Sequence, residues 1–260
     1  MEADAGLWWT QSQRPFVYNS QMPYRLALVT GAAQRLGRAF AVRLAARGYD
    51  VIVAHHRSVL EAEATAQEIE KSGVRAFPMA ADLGSPEETA GLLAAVHRLD
   101  GTLAIVVNSA SVLLRADPQQ LTVDEWDASL DANLRAPYFI SQQAATHMSG
   151  GGLIVNITDV GAGKAWPRFP AYAISKAGLE AMTRILARAW APTIRVNAIA
   201  PGLVLPSESI SSEEWERLVN RLPLRRTARL EEVTLALDFL IDNQYVTGQT
   251  IVVDGGYSLI

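Results

Sequence analysis

From residue 24 to the last residue, short apolar runs alternate with longer helical stretches, and this alternation constrains the fold more than any other feature. The predicted strands are Arg25–Thr30, Val51–Ala54, Arg75–Met79, Leu103–Asn108, Leu153–Thr158, Ile194–Ile199 and Thr250–Val253. The predicted helices are Gly37–Arg47, Leu60–Lys71, Pro86–Arg98, Val123–Leu134, Pro137–Met148, Tyr172–Trp190, Glu213–Arg221 and Glu231–Ile241. Strands separated by helices imply βαβ crossovers. Strands buried on both faces read as unbroken apolar runs, as LAIVVN and LIVNIT do here. The expected fold is a doubly wound, Rossmann-type parallel α/β sheet of seven strands, with helices on both faces. No Pro/Gly/Ser-rich linker interrupts it, so residues 24–260 are read as one domain. In such sheets ligands bind beyond the carboxyl ends of the strands.

Residues 1–23 show no helical or strand periodicity and are read as a flexible extension. Trp8, Trp9, Phe16 and Tyr18 could instead pack onto the body or a neighbouring subunit, and Met22 could be the true start. The acidic opening lacks the apolar core of a secretory signal, and no run reaches membrane-span length. A cytoplasmic protein without a membrane partner is expected. With a formal net charge of -4, no nucleic-acid partner is expected either. There are no cysteines, which removes disulfides and thiolate nucleophiles. With only 4 histidines and no HExxH pair, no metal site is expected. His97 and His147 are read as solvated helix residues.

The first strand runs into Thr30-Gly31-Ala32-Ala33-Gln34-Arg35-Leu36-Gly37 and then a helix. Small residues let the backbone approach a pyrophosphate, and the helix N-terminus offers free N–H groups. The second strand ends in Ala54-His55-His56-Arg57-Ser58, with no acidic residue placed to bond a ribose 2′-OH. Asp50 lies at the wrong end of that strand. Arg57 can instead grip a phosphate by paired charge-assisted bonds, with His56 and Ser58 as further donors. This points to NADPH. A solvated basic loop is the plainer alternative.

Tyr172 and Lys176 are four apart in AYAISKAGLEAMTR, hence on one helix face. Reduction of a C=O or C=N bond needs a proton as well as a hydride. A neighbouring ammonium favours phenolate and brings the tyrosine toward the working range. Asp159 lies thirteen residues before Tyr172. Ionised, it opposes Lys176 and keeps Tyr172 protonated; protonated, it is itself a donor. Either state suits reduction, and a loop cap is the alternative role.

These motifs together resemble the short-chain dehydrogenase/reductase family over about residues 24–260. The first turn is similar to TGxxxGxG, with Arg35 where the family has its middle glycine. Asp159 stands where the family usually has serine. The resemblance implies a tetrad of Asn133, Asp159, Tyr172 and Lys176, with Asn133 holding a relay water near Lys176. It implies cofactor contacts from Gly31, Arg35, Leu36 and Gly37, and adenine contacts from Asp82 and Leu83. Asp82 could alternatively cap a helix, although Ser85 before Pro86 is the better cap. Further cofactor contacts are implied for Asn108, Ser109, Ala110 and Ser111 after the fourth strand, and for Pro201, Gly202, Leu203 and Val204 after the sixth.

TGAAQRLGR, HHRS and Asp159 look like the pteridine reductase branch, which reduces pterins and often folates with NADPH. That branch would bring Arg35, Ser111, Asp159 and Tyr172 to the substrate. It stacks the pterin on an aromatic ring where this chain has Leu113, which forfeits about 0.5–1.5 kcal/mol of stacking. Trp166 and Phe169 could restore an aromatic wall or simply plug a domain edge. Two other functions stay open: reduction of a 3-oxoacyl thioester or small ketone, and dinucleotide binding without turnover. The resemblance also implies a homotetramer, with the Tyr172 helix and the last strand near its axes.

Overall fold

The apolar runs pair as one parallel sheet. Its strands are β1 (Arg25–Thr30), β2 (Asp50–His55), β3 (Ala76–Ala80), β4 (Thr102–Asn108), β5 (Gly152–Ile157), β6 (Ile194–Pro201) and β7 (Thr250–Val253). Their order is β3-β2-β1-β4-β5-β6-β7, and every pairing is parallel. The progression of strands across the sheet therefore reverses between β1 and β4, the switch point at which such sheets open a crevice. This computed structural model describes residues 25–148, 150–207 and 209–260. Residues 1–24 lie outside the described set, and with them the readings made for Trp8, Trp9, Phe16, Tyr18 and Met22.

The helices are α1 (Arg35–Ala46), α2 (Val59–Glu70), α3 (Pro86–Val96), α4 (Val123–Leu130), α5 (Ala136–Ala145), α6 (Pro170–Trp190), α7 (Ser212–Arg221) and α8 (Leu230–Asp242). Alternate side chains leave opposite faces of a strand, so β1 feeds two cores. Ala27 and Val29 join Phe40 and Leu44 of α1, Ile69 of α2 and Leu237 of α8. Leu26 and Leu28 join Leu93 of α3, Ile140 of α5 and Leu179 of α6. Each fully buried Leu, Ile or Phe contributes roughly 1.5–3 kcal/mol. These two layers hold the strand ends still, and the ligand cleft opens on them.

Two details differ from the sequence expectation. The predicted break between 134 and 137 is absent. Instead, α4 and α5 are joined by a π-helical turn, Asp131–Arg135, so the helix runs on through Pro137. Pro137 follows that turn directly. The His97 and His147 rings stack with centroids 3.0 Å apart, and the buried His97 Nε2 has no partner among the described residues. His97 is thus not simply solvated. Elsewhere the local signals hold. Ser85 caps α3 by accepting from Glu88 N at 3.2 Å. Asp50 is buried and takes Arg75 N at 2.7 Å and Nε at 2.8 Å, a structural pairing at the far end of β2.

Candidate active site

The turn after β1 is built by close backbone approach. A Cβ on Gly37 would lie 2.1 Å from the Gly31 carbonyl oxygen. A Cβ on Gly31, whose φ is +64°, would lie 2.9 Å from Ala110 Cα. Only glycine fits either place. Arg35 has φ 55°, so it adopts the left-handed conformation that a glycine in its place would take freely. That conformation costs a side-chain-bearing residue roughly 1–2 kcal/mol. Its guanidinium reaches across the cleft and donates to the carbonyls of Leu205 (3.2 Å) and Pro206 (2.8 Å). No side chain caps the first turn of α1, so its N–H groups stay available to an anion.

Around that turn lies a cleft of about 530 Å³. His56, Arg57 and Ser58 from the end of β2 form one wall, with Asp82 and Leu83 after β3. His56 Nε2 stands 3.6 Å from Asp82 Oδ2. Asp82 Oδ1 accepts from Gly84 N at 2.9 Å, so Asp82 shapes its own turn and leaves the cap to Ser85. Arg57 is exposed and makes no ion pair among the described residues. Ser109, Ala110 and Ser111 line the middle, and Pro201, Gly202 and Val204 line the far side. Thr30 Oγ1 accepts from both Ser109 N and Ala110 N at 3.0 Å, tying this stretch to β1. The glycine cradle, uncapped helix end and unpaired arginine together fit a dinucleotide bearing an extra phosphate.

Two residues expected at the cofactor do not line the cleft. Leu203 is buried beside it, where its carbonyl accepts from Ala228 N at 2.9 Å. Asn108 turns inward. Its Nδ2 donates to Ser141 Oγ at 3.1 Å and to Asn156 Oδ1 at 2.8 Å. Asn156 Nδ2 in turn donates to Thr183 Oγ1 at 2.9 Å. All four residues are buried. They form a polar ladder under the site that links β4, β5, α5 and α6.

The reacting groups converge at the entry to α6, which begins with Pro170 in its first turn. Tyr172 Oη donates to Asp159 Oδ2 at 2.8 Å. Asp159 Oδ1 accepts from Gly161 N at 2.6 Å, so it caps the short 3-10 turn Val160–Gly163 while facing the tyrosine. The two roles expected as alternatives are both filled, one by each oxygen. Lys176 is only 2% exposed, and its Nζ donates to Ile157 O at 2.8 Å. That nitrogen sits 5.7 Å from the Tyr172 ring centroid.

The electrostatics correct one expectation. Lys176 does not dominate at the tyrosine. Burial, then the charge and hydrogen bond of Asp159, push Tyr172 well above its ordinary value. Only the Ser111 hydroxyl pulls the other way. Burial raises Asp159, against its bonds to Gly161 and Tyr172 and the charge of Lys176. Burial lowers Lys176 to about 8, with Asp159 opposing. The phenol is therefore held protonated.

Asn133 is fully buried in the π-helical turn. Its Oδ1 accepts from Val112 N at 2.8 Å, and its Nδ2 donates to Val112 O at 2.9 Å and Ser175 Oγ at 3.0 Å. Both amide protons are occupied, so the side chain clamps the loop after β4. It does not present a donor to a relay water beside Lys176.

Leu113, Trp166 and Phe169 do not line the cleft. Leu113 lies in a loop whose carbonyl accepts from Ser209 Oγ at 3.2 Å. Trp166 packs on Gly161, where a Cβ would come within 2.6 Å of its ring. It forms an aromatic group with Phe169 (6.3 Å) and Tyr257 (6.1 Å). Tyr257 was not anticipated as a site residue. Burial and then the charge of Asp159 raise its phenol, which places it in the field of that carboxylate. Lys164 lies over the Tyr257 ring and donates to the carbonyls of Tyr257 and Ile260, pinning the C-terminus there.

Comparison with known proteins agrees with this geometry. Residues 31–258 match the family model described as enoyl-(acyl carrier protein) reductase. The 3-oxoacyl-[acyl-carrier-protein] reductase of Staphylococcus aureus is 33% identical over 237 residues, covering 88% of this chain and 96% of that one. A granaticin polyketide synthase putative ketoacyl reductase of Streptomyces violaceoruber is 34% identical over 244 residues, covering 90% of this chain and 96% of the other. Among solved structures, alternative dihydrofolate reductase 1 of Brucella suis in complex with NADP superposes with a TM-score of 0.86 at 37% identity, covering 92% of this chain and 96% of that one.

Proposed function

The chain belongs to the short-chain dehydrogenase/reductase family, and from that premise we propose that it reduces dihydropterin or dihydrofolate-like substrates. It is an NADP-dependent oxidoreductase. The observation that carries the pterin reading is the Tyr172–Asp159 hydrogen bond, at the place where the family usually has serine. A carboxylate there keeps the phenol protonated, which suits reduction.

NADPH, when bound, supplies the hydride. Gly31, Gly37 and the first turn of α1 would hold its pyrophosphate, and Arg57 with His56 and Ser58 would hold the 2′-phosphate. Tyr172 gives its proton to the atom that gains negative character as the C=N or C=O bond is reduced. Lys176, charged below about 8, favours the phenolate left behind, which regains its proton from solvent as the product leaves. Arg35 and Ser111 would orient the substrate, with Trp166 and Phe169 behind it. The reaction takes place in the cytoplasm. Exposed Ile174 and Phe139 on the α5–α6 side, and Phe239 and Val252 on the α8–β7 side, support a homotetramer built on those two faces.

A second reading, reduction of a 3-oxoacyl thioester, is favoured by Leu113, since no aromatic ring replaces it at that position. The test follows NADPH absorbance with dihydrobiopterin, dihydrofolate and an acetoacetyl thioester in parallel. Saturable oxidation with a pterin is expected. Oxidation with the thioester alone would replace the first reading by the second. NADPH binding without turnover of any substrate would leave only a dinucleotide-binding role.

A further inference from the structure

Three loops meet beside the aromatic group. Arg115 follows β4, Arg168 precedes α6, and Glu214 lies in the first turn of α7. Arg115 Nη1 is 3.3 Å from Glu214 Oε2, and Arg168 Nη1 is 3.4 Å from Glu214 Oε1. Two guanidinium groups thus share one carboxylate. Both contacts are long and one-armed, well outside the 2.7–2.9 Å of a good charge-assisted bond. Arg115 Nη1 also donates to Ser209 O at 3.1 Å. Each guanidinium keeps unused donors in a planar fork that matches a carboxylate.

Position gives the pair its meaning. Ala116 N donates to Arg168 O at 3.0 Å, so the two arginine loops are joined through their backbones. The Arg115 guanidinium lies over the Phe169 ring, 5.9 Å from its centroid. Phe169 immediately precedes α6, three residues ahead of Tyr172. The Tyr257 phenol feels Asp159, Arg221 and Glu214 together, so the acid and the arginine cluster share one electrostatic neighbourhood. The Arg115 and Arg168 side chains are 37% and 64% exposed. A loose, exposed pair is worth little to stability, so a ligand can take it over at small cost.

We infer that Arg115 and Arg168 bind an anionic tail of the substrate, with Glu214 holding their place until that tail arrives. The inference rests on the pterin reading. It selects, within that class, pterins that carry a benzoyl-glutamate tail over those with a short neutral side chain. The incoming carboxylate displaces Glu214 from the guanidinium forks while the ring is reduced near Tyr172.

The test is the ratio of kcat/KM for dihydrofolate to kcat/KM for dihydrobiopterin. It is measured in the full-length protein and in two variants, Arg115→Gln/Arg168→Gln and Glu214→Gln. In the double variant the ratio should fall about tenfold or more, through KM for dihydrofolate, because bonds to charged groups are lost. In Glu214→Gln the ratio should rise, because a competing carboxylate is gone. Equal slowing of both substrates, with the ratio unchanged, would mean that the cluster only holds the loops together, and would overturn the inference. So would a falling ratio in Glu214→Gln, which stays informative if the double variant does not fold. If the unaltered protein oxidises NADPH with neither pterin, the pterin reading fails and this inference with it.

Discussion

The dinucleotide cleft is shaped by backbone, whereas the cluster beside it, the proposed substrate wall, is shaped by side chains brought from distant segments. On the first side, Gly31 and Gly37 let the β1 turn, the β4 loop and α1 come into near contact. On the second, Trp166, Phe169, Tyr257, Arg115 and Glu214 come from four separate stretches and meet only in the folded chain. A backbone site tolerates almost no change in its own residues but reads only the common features of a cofactor. A side-chain site can be rebuilt residue by residue, and it is where specificity resides. Between them stand Asp159, Tyr172 and Lys176, set by β5 and α6 and serving both.

Three perturbations would break or sharpen this division. Tyr172→Phe removes the proton donor without touching the glycine cradle. Turnover should fall about 10²–10⁴-fold, while NADPH binding, followed by fluorescence titration, persists. Loss of NADPH binding as well would show that the two sides are not separable.

Gly37→Ala attacks the other side. Its Cβ would meet backbone at 2.1 Å, so α1 or the β1 turn must move. Overpacking of this kind costs roughly 1–3 kcal/mol, and NADPH affinity should fall about tenfold to a hundredfold. Calorimetric titration reads the affinity directly. An unchanged affinity would mean that the turn is not the pyrophosphate site.

The smallest effect is a pH dependence. Lys176 is lowered to about 8, so raising pH through that value removes its charge while Tyr172, raised well above its ordinary value, keeps its proton. The rate under saturating substrate should fall to about half its plateau near that pH, as expected for loss of one ionised group. A plateau extending unbroken toward pH 10 would separate Lys176 from the chemistry.

What could be read in the sequence follows the same division. TGAAQRLG was legible because a backbone cradle demands small residues at fixed, local spacing. Tyr172 and Lys176 were legible because one helical turn separates them. The positions of the strands followed from apolar runs that needed no tertiary information. The substrate wall was not legible. Arg115 and Glu214 are 99 residues apart, and no local period links them. Leu113 was expected to cover the substrate, but its loop is drawn toward Ser209, and nothing in residues 111–114 announces that. Asn133 was identified as a site residue, but its clamp on the loop after β4 was not read. Its role depends on a π-helical turn, a backbone irregularity that side-chain patterns do not encode.

The polar ladder under the site bears on how this chain can diverge. Asn108, Asn156, Ser141 and Thr183 are hydrogen-bonded to one another in the buried interior. Making any one of them apolar orphans a neighbour, at about 1–3 kcal/mol. Only a coordinated replacement of several would pass quietly. The floor therefore behaves like a combination lock, closed to single steps, while the rim above it stays open to them. Descendants of this sequence can acquire new substrates far more readily than a new catalytic floor.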